Sequence, residues 1–519
     1  MLSPSGPSAL RPSGLPARSL AEVGARLGSE VRGVGARDLD EPVVTGVSLD
    51  SRAVRPGDLY AAPAGSRAHG ADFAAAAAAG GAVACLTDEA GAARSLAAGL
   101  PTFVVPAPRA VLGGLAAWVY GEPADDLTLI GITGTNGKTT TAYLLDGGLR
   151  AAGLTTGLVG TIETRIGDDV LPSVRTTPEA PELQALLALM REQGVRAVAM
   201  EVSSHALAMG RVDGTTYDVA VFTNLSEDHL DFHADLEEYF AVKATLFTPA
   251  RSRLGVIDVD DAYGRRLVRL ATVPVVTVSP SGGAADWRVE GVELRPAGSS
   301  FVLAGPDGLR LDCSTALAGD FNLANAALAV VALVQAGVDP ERAAAGVASC
   351  PGVPGRMERV EAGAGGPLAL VDFAHSPDAL ERLLATVRGL VADGGRLVVV
   401  LGCGGDRDQG KRPAMGAIAV RGADVAVLTS DNPRSEDPLE IIAAVRAGAD
   451  QALAEGATAR VEVEPDRRAA IRLGASLAGP GDVLVVAGKG HETGQEVAGV
   501  VHPFDDRVVL GEALRAVTT

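Results

Sequence analysis

The sequence predicts an α/β protein of three domains, and three observations carry that prediction. Its 519 residues exceed what one core serves, since domains typically run to about 100–200 residues. Hydrophobic residues make up 47% and aromatics only 3%. The apolar content is therefore mostly Ala, Val and Leu, which suits helices packed on parallel strands. Apolar runs of strand length alternate with helix-length segments, and the alternation restarts after each of two turn-rich joints.

Residues 1–20 are rich in Pro, Ser and Ala, lack the apolar core of a signal peptide, and are expected to form a flexible lead-in. Residues 21–124 form the first domain, with an apolar segment at 43–49, strands expected at 59–62, 83–86 and 102–105, and a helix in the alanine run 73–84, which Gly80 and Gly81 break. That alanine run is too short for the roughly 20 residues of a membrane span, so no membrane insertion is expected. Gly121-Glu122-Pro123 punctuates the chain, and a second domain spans 125–352. Its strands are expected at 127–132, 197–200, 219–223 and 254–259 in a parallel sheet, with a helix over 139–149. The stiff joint Pro351-Gly352-Val353-Pro354-Gly355 leads to a Rossmann-like third domain, 353–519, with strands at 368–372, 397–401, 425–429 and 483–487.

A formal charge of -19 argues against nucleic-acid binding, because gripping a phosphate backbone needs a basic surface. Anionic ligands must meet local positive sites instead. Cys85, Cys313, Cys350 and Cys403 are scattered and form no zinc or disulfide spacing, so a reducing, cytoplasmic setting and buried thiols are expected. A monomer is expected.

The segment Thr133-Gly134-Thr135-Asn136-Gly137-Lys138-Thr139-Thr140 lies between a predicted strand and a predicted helix. Glycines let backbone N–H groups wrap phosphate oxygens, the helix N-terminus adds positive potential, Lys138 neutralises charge, and Thr139 offers a hydroxyl to Mg²⁺. The match to the general P-loop pattern is imperfect, because the first glycine of that pattern falls at Ile132. By itself the loop implies ATP or GTP and no particular reaction.

Two clusters follow at strand ends, Glu201-Val202-Ser203-Ser204-His205 and Asn224-Leu225-Ser226-Glu227-Asp228-His229-Leu230-Asp231. Strand carboxyl ends form the ligand crevice of open α/β sheets. Glu201, helped by His229, is expected to hold Mg²⁺ between the ATP phosphates and a second substrate. Lys243 falls in an expected amphipathic helix over 238–247, where a lysine ordinarily reaches solvent. In the third domain, segments 402–408, 431–434 and 488–492 lie at neighbouring strand ends and are expected to converge.

Taken together, GTNGKTT, EVSSHAL, NLSEDHLDFH, Gly319-Asp320-Phe321-Asn322-Leu323-Ala324-Asn325, Val371-Asp372-Phe373-Ala374-His375-Ser376-Pro377 and Leu49-Asp50-Ser51-Arg52 resemble the Mur ligase family in order and spacing. The resemblance implies a first domain for the UDP end of the substrate, a central one for ATP and Mg²⁺, and a last one that closes the site. It implies Leu49, Ser51 and His69 near UDP, and Thr176, Thr177, Ser203 and Arg211 along the sugar-peptide. ATP would touch Gly134, Thr135, Asn136, Gly137, Lys138 and Thr139, with Asn322 and Asn325 near the adenine, Arg356 near the phosphates and Asp372 near the ribose. Lys243 would be carbamylated and join Thr139, Glu201 and His229 around Mg²⁺. Met209 departs from the family, whose members often carry Gln there.

Asp431-Asn432-Pro433-Arg434 is similar to the signature of the branch that adds meso-diaminopimelate to UDP-N-acetylmuramoyl-L-alanyl-D-glutamate. By that resemblance Arg407, Asp431, Asn432, Pro433, Arg434, Gly488 and Glu492 form the amine pocket, in an ATP-dependent ligase of peptidoglycan synthesis that works through an acyl phosphate. A guanidinium that grips the extra carboxylate of diaminopimelate is left unpaired by lysine. Without the resemblance, Asp-Asn-Pro-Arg reads as a good turn. Two rivals stay open. A folylpolyglutamate synthetase shares the loop but is expected to lack both the LDSR domain and DNPR. A nucleotide-driven switch turns over ATP without any amino acid.

Overall fold

The computed structural model describes residues 11–33, 39–295, 298–361 and 366–518. In the first domain five short strands run in the order Val31–Arg32, Thr102–Val104, Ala84–Thr87, Asp58–Ala61, Gly46–Ser48, all parallel except the first pair. Leu20, Val47, Leu59, Leu86, Phe103 and Leu115 fill its core. The apolar segment 43–49 divides: Val43–Val44 pairs antiparallel with Arg18–Ser19, and Gly46–Ser48 enters the sheet. The alanine run forms the helix Ala74–Ala79, entered through a 3-10 turn at Gly70–Phe73 and stopped, as expected, at Gly80.

The lead-in is not loose from Arg11 onward. Asp58 is fully buried, and the Arg11 guanidinium meets its carboxylate. An unpaired carboxylate there would be costly, so the charge holds the segment down. Ser19 and Glu22 then form a reciprocal cap on the helix Leu20–Leu27.

The central sheet has eleven strands. It is parallel only in its middle, through Thr156–Val159, Ala197–Glu201, Thr128–Thr133, Tyr217–Phe222, Ser252–Asp258, Val275–Ser279 and Trp287–Arg295. Both margins are antiparallel, correcting the expected parallel sheet: Glu163–Ile166 and Asp169–Pro172 at one end, Gly298–Ala304 and Arg310–Thr315 at the other. The margins face water on one side, and Arg310–Thr315 alternates exposed and buried residues, a pattern that continuous apolar runs do not reveal. The P-loop strand Thr128–Thr133 lies in the middle, buried between the strands that end at Glu201 and Phe222.

The last sheet runs Glu358–Val360, Leu368–Asp372, Val483–Ala487, Leu397–Cys403, Val425–Ser430, Arg460–Val463, parallel but for its first pair. Its three middle strands are buried along their whole length. Arg467 lies fully buried across their carboxyl ends and pairs with an equally buried Asp506 at 2.6 Å. Its guanidinium also donates to Ser430 O and Ala487 O, both at 3.1 Å. Removing one member of a buried pair strands the other charge, which costs about 3–5 kcal/mol. Asp506→Ala is therefore expected to lower the stability of the last domain by about that much, read from the urea midpoint of its unfolding. A shift below about 1 kcal/mol would remove Arg467 as the staple of these strand ends. Among the described residues no helix is long and apolar enough to cross a membrane.

Candidate active site

The loop after Thr128–Thr133 turns through left-handed backbone at Gly134 (φ 144°) and Gly137 (φ 87°). A Cβ at Gly134 would collide with the Thr223 hydroxyl and one at Gly137 with the Asn325 amide, so both positions need glycine. Asn224 holds the loop from the next strand end, its Oδ1 accepting from Asn136 N at 3.0 Å and its main-chain O accepting from Thr135 N at 2.9 Å. Lys138 opens the helix Lys138–Ala151 and folds back, donating to Gly134 O (2.8 Å) and Thr135 O (2.7 Å). Burial lowers its pKa, against the pull of Glu201 and Asp228.

Glu201 closes the neighbouring strand and is buried directly beside the loop. Its Oε2 accepts from Thr139 Oγ1 and from Thr161 Oγ1, each at 3.0 Å, while Oε1 accepts from Thr161 N at 2.7 Å. Lys243 is 1% exposed, which corrects the expectation of a solvated lysine. The helix Leu236–Ala244 turns Tyr239, Phe240 and Lys243 inward together. Lys243 Nζ donates to Gly134 O at 2.8 Å and lies 4.4 Å from the centre of the Tyr239 ring. Two lysine ammonium groups thus share one carbonyl, and burial with Lys138 alongside takes the Lys243 pKa well below its usual value. His229 adopts φ 56°, and its ring stands edge-on to His205 at 4.9 Å. Burial lowers its pKa.

The third domain reaches the same loop. Arg356 lies over Phe373, 4.4 Å from the ring centre, and donates to Thr139 Oγ1 at 3.3 Å. Asp372 accepts from Met357 N and Ala374 N, each at 2.8 Å; burial raises its pKa, with Arg356 opposing. Asp378, at the start of the helix Pro377–Arg388, accepts from Asn136 Nδ2 and Ser226 Oγ, both at 2.9 Å. Asn322 and Asn325 are buried in the helix Asp320–Gln335, where Asn325 Oδ1 takes a long hydrogen bond from Thr141 at 3.4 Å.

On the other side of Glu201, Thr176 and Thr161 hydroxyls meet at 3.0 Å, and Thr177 Oγ1 donates to Glu201 O at 2.8 Å. Ser203 caps the short helix Ser204–Ala208, and Arg211 pairs with Glu179 at 2.9 Å. Leu49 lines a crevice with Ser48, Asp50, Tyr120, Pro181 and Glu182 between the first and central domains, and Ser51 follows half-buried at its edge. His69 is engaged through both ring nitrogens. Nδ1 accepts from Ala71 N at 3.1 Å and Nε2 meets Asp88 at 3.0 Å, so the ring caps a turn.

At the edge of the last sheet the three expected segments do meet. Asn432 Nδ2 donates to Glu492 Oε2 at 2.8 Å, and Asp431 lies against Gly488, where a Cβ would come within 2.6 Å of its Oδ2. Pro433 leads into Arg434, which sits at φ 52° and donates from Nη1 to Gly405 O at 2.6 Å, with Nε 3.6 Å from Glu496. Arg407 is exposed. Arg412 braces the loop behind it, and its guanidinium pulls the Glu436 carboxyl down to about 2.

Sequence reasoning did not single out four residues that organise the site: Thr161, Asn224, Asp378 and Lys489. Asn224, Asp378 and Lys489 lie in or beside motifs already quoted, so proximity in the chain was an available signal. Thr161 lies in none, and only the meeting of two strand ends reveals it.

Comparison with known proteins agrees with this geometry. The chain matches the Mur ligase family catalytic domain over residues 43–120, the Mur ligase middle domain over 132–333 and the Mur ligase glutamate ligase domain over 355–490. It is 57% identical over 511 residues, 98% of this chain and 99% of the other, to the UDP-N-acetylmuramoyl-L-alanyl-D-glutamate--2,6-diaminopimelate ligase of Streptomyces coelicolor. To the ligase of the same description from Corynebacterium glutamicum it is 47% identical over 496 residues, covering 94% and 95% of the two chains. A solved structure of such a 2,6-diaminopimelate ligase superposes with a TM-score of 0.67 at 34% identity, over 97% of this chain and all of that one. A folylpolyglutamate synthase of Mycobacterium tuberculosis shares the fold at 21% identity and TM-score 0.59, over 73% of this chain and 92% of that one. With three family domains matched in order and a relative 57% identical over nearly its whole length, the chain belongs to the Mur ligase family of ATP-dependent ligases.

Proposed function

We propose that this chain joins meso-diaminopimelate to the D-glutamyl carboxylate of UDP-N-acetylmuramoyl-L-alanyl-D-glutamate in peptidoglycan synthesis, consuming ATP. The observation that carries this reading is the convergence of Arg434, Asn432 and Glu492 on one sheet edge, in a domain whose Arg356 and Asp378 reach the phosphate loop. The domain roles follow: 21–124 for the UDP end, 125–352 for ATP, 353–519 for the amino acid.

A carboxylate does not condense with an amine at neutral pH because oxide is a poor leaving group. ATP first phosphorylates the acid, and the amine then attacks the acyl phosphate and displaces phosphate. The loop from Gly134 to Thr139 wraps the phosphates, with the N–H groups of Gly137, Lys138 and Thr139 turned to them while Asn224 holds Thr135 N and Asn136 N, and Lys138 leaves its loop carbonyls to follow the transferring phosphoryl group. Arg356 adds positive charge from the last domain; Asn322, Asn325 and Asp372 bound the nucleoside. Leu49, Ser51 and His69 lie toward UDP, and Thr176, Thr177, Ser203 and Arg211 line the path of the sugar-peptide. Arg407, Asp431, Asn432, Pro433, Arg434, Gly488 and Glu492 receive the amine, and docking of their domain excludes water from the acyl phosphate.

The Thr139 hydroxyl and the Glu201 carboxylate, 3.0 Å apart, are hard oxygen donors that suit Mg²⁺ and would hold it, with His229 as a further candidate donor. When bound, the ion offsets charge on the phosphates. Carbamylation of Lys243 fits the same place. It would replace two ammonium groups crowded on Gly134 O with an ion pair to Lys138 and add another oxygen donor toward the ion. ATP, a nucleotide-linked acid and four buried free thiols fit a monomer working in the reducing cytoplasm.

Phosphate release measured with ATP and the nucleotide dipeptide is expected only on adding diaminopimelate, not lysine, and to vanish on chelation of Mg²⁺. Native mass spectrometry should show the extra carboxyl on Lys243. Release without an amino acid would favour the nucleotide switch, and release driven by glutamate on a folate would favour the folylpolyglutamate reading.

A further inference from the structure

We propose that Lys489 is a positioning residue that sets the polarity of the amine pocket, holding Asn432 and Glu492 from behind so that one amide N–H and one carboxylate oxygen are kept for the amino acid. This deepens the function proposed above and rests on the last-domain loops being the amine pocket. Lys489 is 0% exposed, between Gly488 (φ 114°) and Gly490 (φ 53°), whose backbone turns the side chain into the protein. Its Nζ donates to Asn432 Oδ1 at 2.9 Å and to Glu492 Oε2 at 3.0 Å. Asn432 Nδ2 donates to the same Oε2 at 2.8 Å, and Glu496 N donates to Asn432 Oδ1 at 3.0 Å.

This arrangement allows only one orientation of the asparagine amide. A flip would set its NH₂ against an ammonium and a backbone N–H, both donors. Among the described residues, what remains unengaged is the second amide hydrogen of Asn432 and Oε1 of Glu492, whose side chain is 35% exposed. A donor beside a carboxylate oxygen, with the Arg434 guanidinium on the adjoining loop, matches the carboxylate and ammonium of an amino-acid end. Burying an ammonium completely is unfavourable unless it is paired, and a methionine would fill similar space without that penalty. The lysine is therefore explained by its two partners rather than by packing. Arg467 secures the frame, since it holds the carbonyls of Ser430 and Ala487, the residues immediately before Asp431 and Gly488.

The test is steady-state kinetics of the full chain, varying ATP, the nucleotide dipeptide and diaminopimelate in turn. Lys489→Met is expected to raise KM for diaminopimelate by about tenfold to a hundredfold, the loss expected when a charged hydrogen-bond partner is removed. KM for ATP and for the nucleotide dipeptide should stay within about twofold, and the preference for diaminopimelate over lysine should fall. Should that variant fail to fold, Lys489→Gln keeps an N–H donor of similar reach and is expected to raise the same KM alone by about tenfold. A folded variant with an unchanged KM for diaminopimelate, or with all three KM values raised alike, overturns the proposal. The unsubstituted chain separates the two claims. If it needs diaminopimelate while the variants behave as the overturning case, only the role of Lys489 falls; if it turns over without diaminopimelate, the functional reading falls and takes the proposal with it.

Discussion

Lys138→Ala is expected to lower phosphate release at saturating substrates by about 10³-fold or more, with the chain still folded. In the structure the ammonium rests on Gly134 O and Thr135 O, at the N-terminus of the helix Lys138–Ala151. Glu201 lies alongside, and that carboxylate would repel a triphosphate if no cation stood beside it. Charge developing on the transferred phosphoryl group meets a fixed cation in a water-poor site, where electrostatic stabilisation is worth far more than in solution. Lys138→Arg keeps the charge but not the reach inside a loop packed against Thr223 and Asn325, and should recover little. Turnover within about tenfold of the unsubstituted chain would mean that the glycine loop does not hold the transferring phosphate, and the ligase mechanism would have no cation at its centre.

Arg434→Ala is expected to lower kcat/KM for diaminopimelate by about 10²–10³-fold while leaving KM for ATP unchanged, and to erase most of the discrimination against lysine. The guanidinium is aimed by its left-handed backbone (φ 52°), by Gly405 O and by the adjacent hairpin, where Arg434 N donates to Glu496 O at 3.0 Å. The proposed bidentate grip on the distal carboxylate would be lost in the variant, and with it the unpaired charge that would make lysine a poor substrate. Arg434→Lys keeps a cation without the fork and should fall between the two. If Arg434→Ala still prefers diaminopimelate as strongly, selection resides elsewhere in the pocket.

Lys138 stood out in the chain for local reasons, whereas Arg434 stood out only through the family resemblance. A glycine-flanked lysine after an apolar strand implies a phosphate site from short-range chemistry alone, and apolar runs place strand ends at 200, 401, 429 and 487, within two residues of the observed 201, 403, 430 and 487. Lys243 was different. Its helix carries the residue pattern of an ordinary surface segment, and only packing against the phosphate loop, 109 residues away, turns the lysine inward. The antiparallel margins of the central sheet were hidden because half-solvated strands alternate instead of forming runs. Arg11 was hidden because its partner, Asp58, lies across a fold that had not yet been drawn.

By itself the sequence determined where the chain turns, which runs are buried, and which short segments can hold a phosphate or a carboxylate, since glycine conformation and apolar periodicity act over a few residues. The tertiary structure alone decided which of those segments share a site. Asn432 and Glu492 are 60 residues apart and touch because the strands before them are held together by one buried guanidinium. Thr139 and Glu201 meet because strand order sets the ends of Thr128–Thr133 and Ala197–Glu201 side by side, and Arg356 reaches them from the third domain. Strand order depends on the summed burial of whole sheets, a quantity that no local window of residues contains.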